Sequence, residues 1–499
     1  MKVFLMYPNR DFDLNQELPP GEQALTQDLE LNTLWETMAQ GDEFLLQVVK
    51  ESLLTSLNDC KTILYRQDIL KDCLKNASII RDIYDVAVQS LESKKGHYWS
   101  VFSRSPDSIL YGSVEIMQIL VDMLKKLRDI ADEQADQFES QGFKRLFTMI
   151  HEELNDEYLA NIRGHLKELK FTDGVLISAE LKTGNKGSNY ILRKSPDPKQ
   201  SWMKRIFSEK VPEFSFYIAE RDESGLKALS QIRDRGVNLA ANALAQSVDH
   251  ITSFFSMLRT ELAFYIGCLN LYGQLTQMGE PVSFPVPVES RERRHSFKGL
   301  YDACLVLTVK QKVVGNDLNA DGKDIMIITG ANQGGKSTFL RSLGLAQLMM
   351  QCGMFVSAES FCANICEGIF THYRREEDST MNSGKLDEEL SRMNGIVDNL
   401  SPNAIVLFNE SFAATNEREG SEIARQIICA LLEKQIKIVF VTHLFEFAHN
   451  FFEKNIRDAV FLRAERQDDG KRTFQLIQGE PLKTSFGEDL YQKIFEETI

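Results

Sequence analysis

No run of about 18 apolar residues occurs anywhere in the 499-residue chain, so a membrane-spanning helix is not expected. The opening stretch MKVFLMYPNRDFDLNQ has one Lys and an apolar segment only from Val3 to Tyr7. That is too short for a secretory signal, and no small-residue cleavage site follows. The chain therefore reads as cytoplasmic. Its eight cysteines are scattered at Cys60, Cys73, Cys268, Cys304, Cys352, Cys362, Cys366 and Cys429. Only Cys362 and Cys366, in CANIC, are close, and no second half-site of Cys or His accompanies them, so buried free thiols are expected rather than a metal cluster. Positive charge is also scarce: the net charge is −15, which argues against a general polyanion binder.

The exception is local. Residues 161–210 hold eleven Lys or Arg against five acidic residues, a balance of +6 inside a chain that is otherwise near −21. The same stretch breaks the helical pattern around it. Residues 25–170 carry apolar positions at helical spacing with few breakers, and Ser105–Pro106–Asp107 marks a helix start. DGVLISAEL, SNYILRK and EFSFYIAE are then short β-prone runs separated by Gly, Asn, Pro and Lys. Helical spacing returns near Gly225, where Leu244, Val248, Ile251, Phe255, Leu258, Leu262, Ile266 and Leu269 form one stripe. MGEPVSFPVPVESRERRHSFKG, rich in Pro and turn residues, reads as a linker. The expected architecture is multidomain. A mainly α-helical core or lever fills 1–280, with a small basic β-containing insertion at 165–220. A linker at 281–300 leads to an α/β P-loop domain at 301–499.

In that last region KDIMIITG, NAIVLFNE and IKIVFVTH are continuous apolar runs, as central parallel strands require. GANQGGKST starts at Gly330, after one such run and before the helix-like TFLRSLGLAQLMM, and it matches G-x-x-x-x-G-K-[ST] in the strand–loop–helix context that the motif needs. Gly330, Gly334 and Gly335 allow the backbone to wrap an anion, with N–H groups and a helix N-terminus facing it. Lys336 is the candidate for the β/γ-phosphates, Ser337 for Mg²⁺ and Thr338 for the α-phosphate. No guanine-reading N-K-x-D follows, which favours ATP.

Residues 325–445 resemble the ATPase domain of the MutS family of DNA mismatch-repair proteins. ITGANQGGKSTFLRSLGLAQLMMQCGMFVSAES is similar to the family's TGPNMGGKST loop and the segment after it, with Asn332 and the double Gly before Lys336 more specific than a general P-loop. VTHLFEFA resembles the family's T-H-Y/F segment at His443, and KTSFG at 483–487 its K-S-Y-G stretch. LNTLWETMAQGDEFLLQVVKESLLTSLNDCKTILYRQDILKDCLK, at 31–75, looks like the start of the family's helical core. The resemblance implies an ABC-type ATPase working as a homodimer on ATP and Mg²⁺, each subunit closing the other's site. For the serine reaching across such a dimer the candidate is Ser383, in NSGK; a plain Ser–Gly turn is the competing reading. His443 would stand beside the γ-phosphate.

The family carries Asp–Glu at the end of its acidic strand, the Asp ordering the Mg²⁺ shell and the Glu polarising the attacking water. Here the pair is Asn409–Glu410. Glu410 keeps the general-base role, while Asn409 accepts a hydrogen bond without charge, so slow hydrolysis with weakened metal affinity is expected. SFAATNEREG, at 411–420, also departs from the family's G-R-G-T-S-type turn. Core-like sequence begins within about thirty residues of Met1, so the family's N-terminal mismatch-recognition and connector domains, and direct mismatch reading, are not expected. DNA contact falls to the basic module, with Lys182, Lys186, Arg193, Lys194, Lys204 and Arg205 as candidates for phosphates of double-stranded or branched DNA; a solvated charged face is the alternative. A MutL-like protein is a further expected partner. The competing function is an ATP-dependent switch that binds a protein through the helical lever, with little or no hydrolysis and no DNA.

Overall fold

The structure is a computed structural model that describes residues 1–97, 105–172, 174–184, 186–194, 214–375, 384–454, 456–466 and 472–482. Its elements in chain order are α1 (Glu22–Asp28), α2 (Leu31–Ala39), α3 (Glu43–Leu54), α4 (Cys60–Lys75), α5 (Ala77–His97), α6 (Pro106–Gln134), α7 (Gln141–Glu153), α8 (Asp156–Leu169), β1 (Leu176–Lys182), β2 (Lys186–Arg193) and α9 (Glu223–Gln277). There follow β3 (Val286–Val288), β4 (His295–Leu300), α10 (Ala303–Val309), β5 (Asn316–Asn319), β6 (Ile325–Thr329), α11 (Lys336–Gln351), β7 (Ser360–Asn364), β8 (Ile369–Tyr373) and α12 (Lys385–Val397). The last are β9 (Ile405–Asn409), α13 (Glu417–Glu433), β10 (Lys437–Val441), α14 (Phe445–Glu453), β11 (Ala459–Arg466) and β12 (Arg472–Gln478). Two compact units result, one of Met1–Val3, Ser78–Phe138 and Phe143–Thr260, the other of Phe4–Ala77, Glu139–Gly142 and Glu261–Ile499.

The first unit is helical with one β-hairpin. Ser105 caps α6, its hydroxyl accepting from Ser108 N–H with Pro106 in the first turn, and Asn155 caps α8 by accepting from Tyr158 N–H. Leu110, Val114, Met117, Val121 and Leu124 recur three and four apart along α6, and all are buried. β1 and β2 pair antiparallel from Leu176 opposite Arg193 to Lys182 opposite Lys186. The third β-prone run is not a strand: residues 214–220 are irregular. Phe214, Phe216 and Tyr217 are almost fully exposed, so the apolar alternation there meets no sheet edge. Along α9, Val248, Ile251, Phe255, Leu258, Leu262, Ile266 and Leu269 are buried as their spacing requires, and Leu244 is half-buried.

The second unit holds two sheets. In the six-stranded sheet, ordered β12-β11-β6-β10-β9-β8, β6 lies parallel to β11 and β10, and β9 lies parallel to β10 and β8. β12 pairs antiparallel to β11 at the edge. The apolar strands β6, β9 and β10 are buried along almost their whole length, as strands covered on both faces must be. Ile325, Ile327, Val406, Phe408, Ile438 and Phe440 pack with Ala424 and Ile428 of α13 and with Phe447 and Phe451 of α14 in one core.

Two readings from the sequence change here. Residues 281–300 are not only a connection: β3 and β4 lie there, in a four-stranded sheet ordered β3-β7-β4-β5. Pro287 is tolerated because β3 is an edge strand, where a missing N–H breaks no ladder. Phe4–Ala77 also groups with the sheets rather than with the helices that follow it in the chain. Leu57 N–H donates to Gln351 O at the end of α11 (2.8 Å), and Arg66 donates to Met6 O (2.8 Å) and Cys352 O (3.4 Å). Glu261 of α9 accepts from the N–H groups of Leu5, Met6 and Phe12 at 2.5, 3.1 and 3.0 Å. Tyr265 OH donates to Leu5 O at 2.6 Å. The N-terminal segment is thus held through its own backbone.

All eight cysteines are free thiols. Among the described residues no group of three His, Cys, Asp or Glu is arranged to hold a metal, and no helix is long and apolar enough to cross a membrane.

Candidate functional site

The loop 330–335 joins the carboxyl end of β6 to α11. Gly335 takes φ +89° at the N-cap of α11, a left-handed conformation that costs an L-residue about 1–2 kcal/mol. Gly334 faces β11 closely: a Cβ there would lie 2.6 Å from Ala464 Cβ. The loop is therefore a concave run of backbone against the β11–β12 hairpin, which also fixes Gln333 by a hydrogen bond from Arg472 (2.5 Å). Asn332 is exposed and Thr338 half-buried. Lys336 is 5% exposed, and its ammonium donates to Gly330 O (3.0 Å) and Ala331 O (2.9 Å). Burial lowers its pKa while the Glu410 charge opposes that shift. Among the described residues the ammonium's hydrogen-bond partners are thus neutral carbonyls, and an anion in the loop would attract it more strongly.

The next two strands bring in the rest. β9 ends at Asn409, whose side-chain Oδ1 accepts from Ser337 Oγ at 3.0 Å. Its backbone carbonyl accepts from Arg374 N–H at 2.9 Å. Glu410 follows at φ +55°, with its N–H donating to Val441 O at the end of β10 (2.8 Å). Its Oε1 lies 2.8 Å from His443 Nε2. That hydrogen bond is the main reason the Glu410 carboxyl sits below the usual carboxylate range, with the charges of His443, Lys336 and Arg374 adding to it. Both side chains are about 30% exposed, so the pair is reachable from solvent.

Lys336, Ser337, Asn409, Glu410 and His443 thus converge at the carboxyl edge of β6, β9 and β10, where parallel sheets bind ligands. The donor set suits a polyphosphate and a hard cation: backbone N–H groups and an ammonium for the anion, a hydroxyl and an amide oxygen for the metal or its waters. Ser383, Lys204, Arg205 and the KTSFG stretch lie outside the described residues. Lys182, Lys186, Arg193 and Lys194 belong to the other unit, exposed on or beside the β1–β2 hairpin. There Arg193 donates to Ser178 Oγ (2.9 Å) and Lys194 pairs with Glu168 (2.6 Å).

Other participants were not legible in the sequence. Asn316 of β5 accepts from Leu476 N–H (2.8 Å) and so braces the hairpin over the loop. His372 of β8 contacts Ser411 beside Glu410 (2.7 Å). Neither lies in a motif, and each acts through strand pairing far along the chain.

Residues 58–278 match the family model described as the MutS2 N-terminal domain, and residues 326–494 match MutS domain V. The chain is similar to the DNA mismatch repair protein MutS of Leuconostoc citreum, 28% identical over 244 residues, covering 48% of this chain and 28% of that protein. It is similar to the endonuclease MutS2 of Lacticaseibacillus casei, 36% identical over 146 residues, 29% of this chain and 19% of that one. It is also similar to the mouse MutS protein homolog 4, 31% identical over 159 residues, 32% of this chain and 16% of that one. The chain spans less than a third of the length of each of these relatives.

Proposed function

We propose that this chain, a member of the MutS family, is an ATP-binding and ATP-hydrolysing DNA-handling protein that acts as a dimeric, nucleotide-driven clamp in repair or recombination. The observation that carries the reading is the pairing of Ser337 with Asn409 beside that of Glu410 with His443. It supports the reading by bringing the glycine-rich loop, the Asn409 amide and the Glu410 carboxylate to one edge of the sheet. The P-loop ATPase fold is part of the same proposal, supported by the parallel order β6-β10-β9 and the loop before α11.

In this reading the loop N–H groups and the N-terminus of α11 bind the phosphates. Lys336 exchanges its two carbonyl contacts for phosphate oxygens. Ser337 and Asn409 would hold Mg²⁺ or its waters, and the bound ion would neutralise phosphate charge. Glu410, ionised and held by His443, takes the proton of the attacking water. The neutral Asn409 makes turnover slow rather than absent. Ser383 is proposed to complete the partner's site, and the basic hairpin residues Lys182, Lys186, Arg193 and Lys194, with Lys204 and Arg205, to meet DNA phosphates.

Three measurements test this. ATP turnover is followed with no DNA and with perfect, mismatched and branched duplexes, and duplex binding is followed against salt. Sedimentation with and without ATP reports the dimer. Turnover that depends on Mg²⁺ and responds to DNA is expected, with binding that weakens as salt rises. Absence of duplex binding at low salt, with and without ATP, would leave only the protein-binding switch.

A further inference from the structure

Ser411, directly after Glu410, is fully buried, as is His372. Its hydroxyl, with a single proton to donate, lies 2.6 Å from His372 O and 2.7 Å from His372 Nδ1. On the far side of the ring, Nε2 lies 3.0 Å from Glu389 O in the second turn of α12. A neutral ring protonated on Nε2 satisfies that carbonyl and turns Nδ1, as an acceptor, toward the serine. Burial lowers the His372 pKa to about 4, so the ring is neutral at neutral pH. The imidazole also stacks on Phe412, with centroids 5.3 Å apart and planes 19° from parallel.

The backbone explains why such a link is needed. Glu410 and Phe412, on either side of Ser411, have φ of +55° and +62°. Two non-glycine residues in the left-handed region, one residue apart, persist only where the surroundings over-determine them. Two contacts do so: Glu410 N–H donates to Val441 O, and the Ser411 hydroxyl is held against His372 of β8. The direction of the Glu410 side chain toward His443 depends on that turn.

We propose that Ser411 and His372 are positioning residues for Glu410, fixing the turn that aims its carboxylate and tying that turn to β8 and to helix α12. The proposal rests on the hydrolysis reading above. It adds a route by which displacement of α12, whose first residue follows the segment of the candidate trans serine, reaches the base. The bland alternative is a histidine that merely fills the core; it predicts lost stability without a specific loss of turnover.

The test is steady-state ATP hydrolysis, nucleotide affinity and Tm for the full chain carrying Ser411→Ala, His372→Leu or His372→Asn. Ile428→Ala, in the core away from the site, serves as the stability control. Ser411→Ala and His372→Leu should lower kcat by about tenfold or more with KM and nucleotide affinity within about twofold, since a misaligned group loses rate rather than ground-state binding. His372→Asn, whose amide oxygen can take the place of Nδ1, should recover much of the kcat lost by His372→Leu. Ile428→Ala should lower Tm and leave kcat intact. If Ser411→Ala does not fold, the two His372 variants carry the comparison. Variants that keep wild-type kcat, or lose it no more than the control does at equal Tm, overturn the positioning role alone. A wild-type chain that binds ATP without turnover overturns the hydrolysis reading and this role with it.

Discussion

Ser337 Oγ donates to Asn409 Oδ1 across 3.0 Å, joining the first turn of α11 to the last residue of β9. An amide oxygen can accept this bond as a carboxylate oxygen can, so in the proposed reading Asn409 keeps the geometry of a metal-side acceptor without its negative charge.

Restoring that charge with Asn409→Asp should therefore change metal affinity more than shape. A unit charge a few ångströms from a cation at an effective dielectric of 20–80 corresponds to on the order of 1–4 kcal/mol. The half-saturating Mg²⁺ concentration should fall and turnover rise. A Mg²⁺ titration of both proteins reads the difference, and superimposable profiles would sink the charge argument.

Glu410→Gln keeps the side chain's shape and its reach toward His443, but removes the proposed base. Nucleotide binding should survive, while phosphate release drops by about 10²–10⁴-fold, the usual contribution of general-base catalysis. Because the hydrogen bond to His443 holds the Glu410 pKa below the usual range, the carboxylate stays ionised across neutral pH. Turnover should then show no acid limb from this group until well below neutrality. Near-wild-type release by the glutamine variant would remove Glu410 from the mechanism.

Glu261 predicts a pH dependence of stability. Burial pushes its pKa from 4.5 up to about 7, against the opposing N–H groups of Leu5, Met6 and Phe12. A folded pKa above the unfolded one means the unfolded state releases its proton first as pH rises. The favourable contribution is therefore complete below about 4.5 and is lost as pH climbs through 7, on the order of 3 kcal/mol in all. Denaturant midpoints should fall between pH 5 and 8, and Glu261→Gln should flatten that slope. An equal slope in both proteins would locate the effect elsewhere.

Gly353, just after α11, has φ +77°, and a Cβ there would lie 2.4 Å from Arg66 Cβ and 3.1 Å from Ile63 O. Gly353→Ala combines left-handed strain of about 1–2 kcal/mol with overpacking of about 1–3 kcal/mol. It should lower the unfolding midpoint accordingly. A neutral result would mean that α4 can move away from α11.

Much of the fold is legible along the chain. The apolar runs that become β6, β9 and β10 announce buried parallel strands because nothing polar interrupts them, and Ser105–Pro106 announces a helix start because the cap chemistry is local. The 214–220 run misleads, since alternation states a preference for a sheet edge without supplying one. Residues 281–300 mislead in the opposite sense: Pro and turn residues hide β3, because an edge strand tolerates what a central strand cannot.

Short-range chemistry is legible along the chain: the glycine-rich loop before Lys336 and Ser337, the strand that leads to Asn409 and Glu410, and the His443 that follows a further strand. Which of these groups meet is set by the packed fold. Ser337 finds Asn409 72 positions away, Glu410 finds His443 across 33, and Ser411 finds His372 across 39. These distances follow from the strand order β6-β10-β9-β8, which runs against the order of the chain. That order is fixed by long-range burial of the strands between helices, a property that no local run of residues carries.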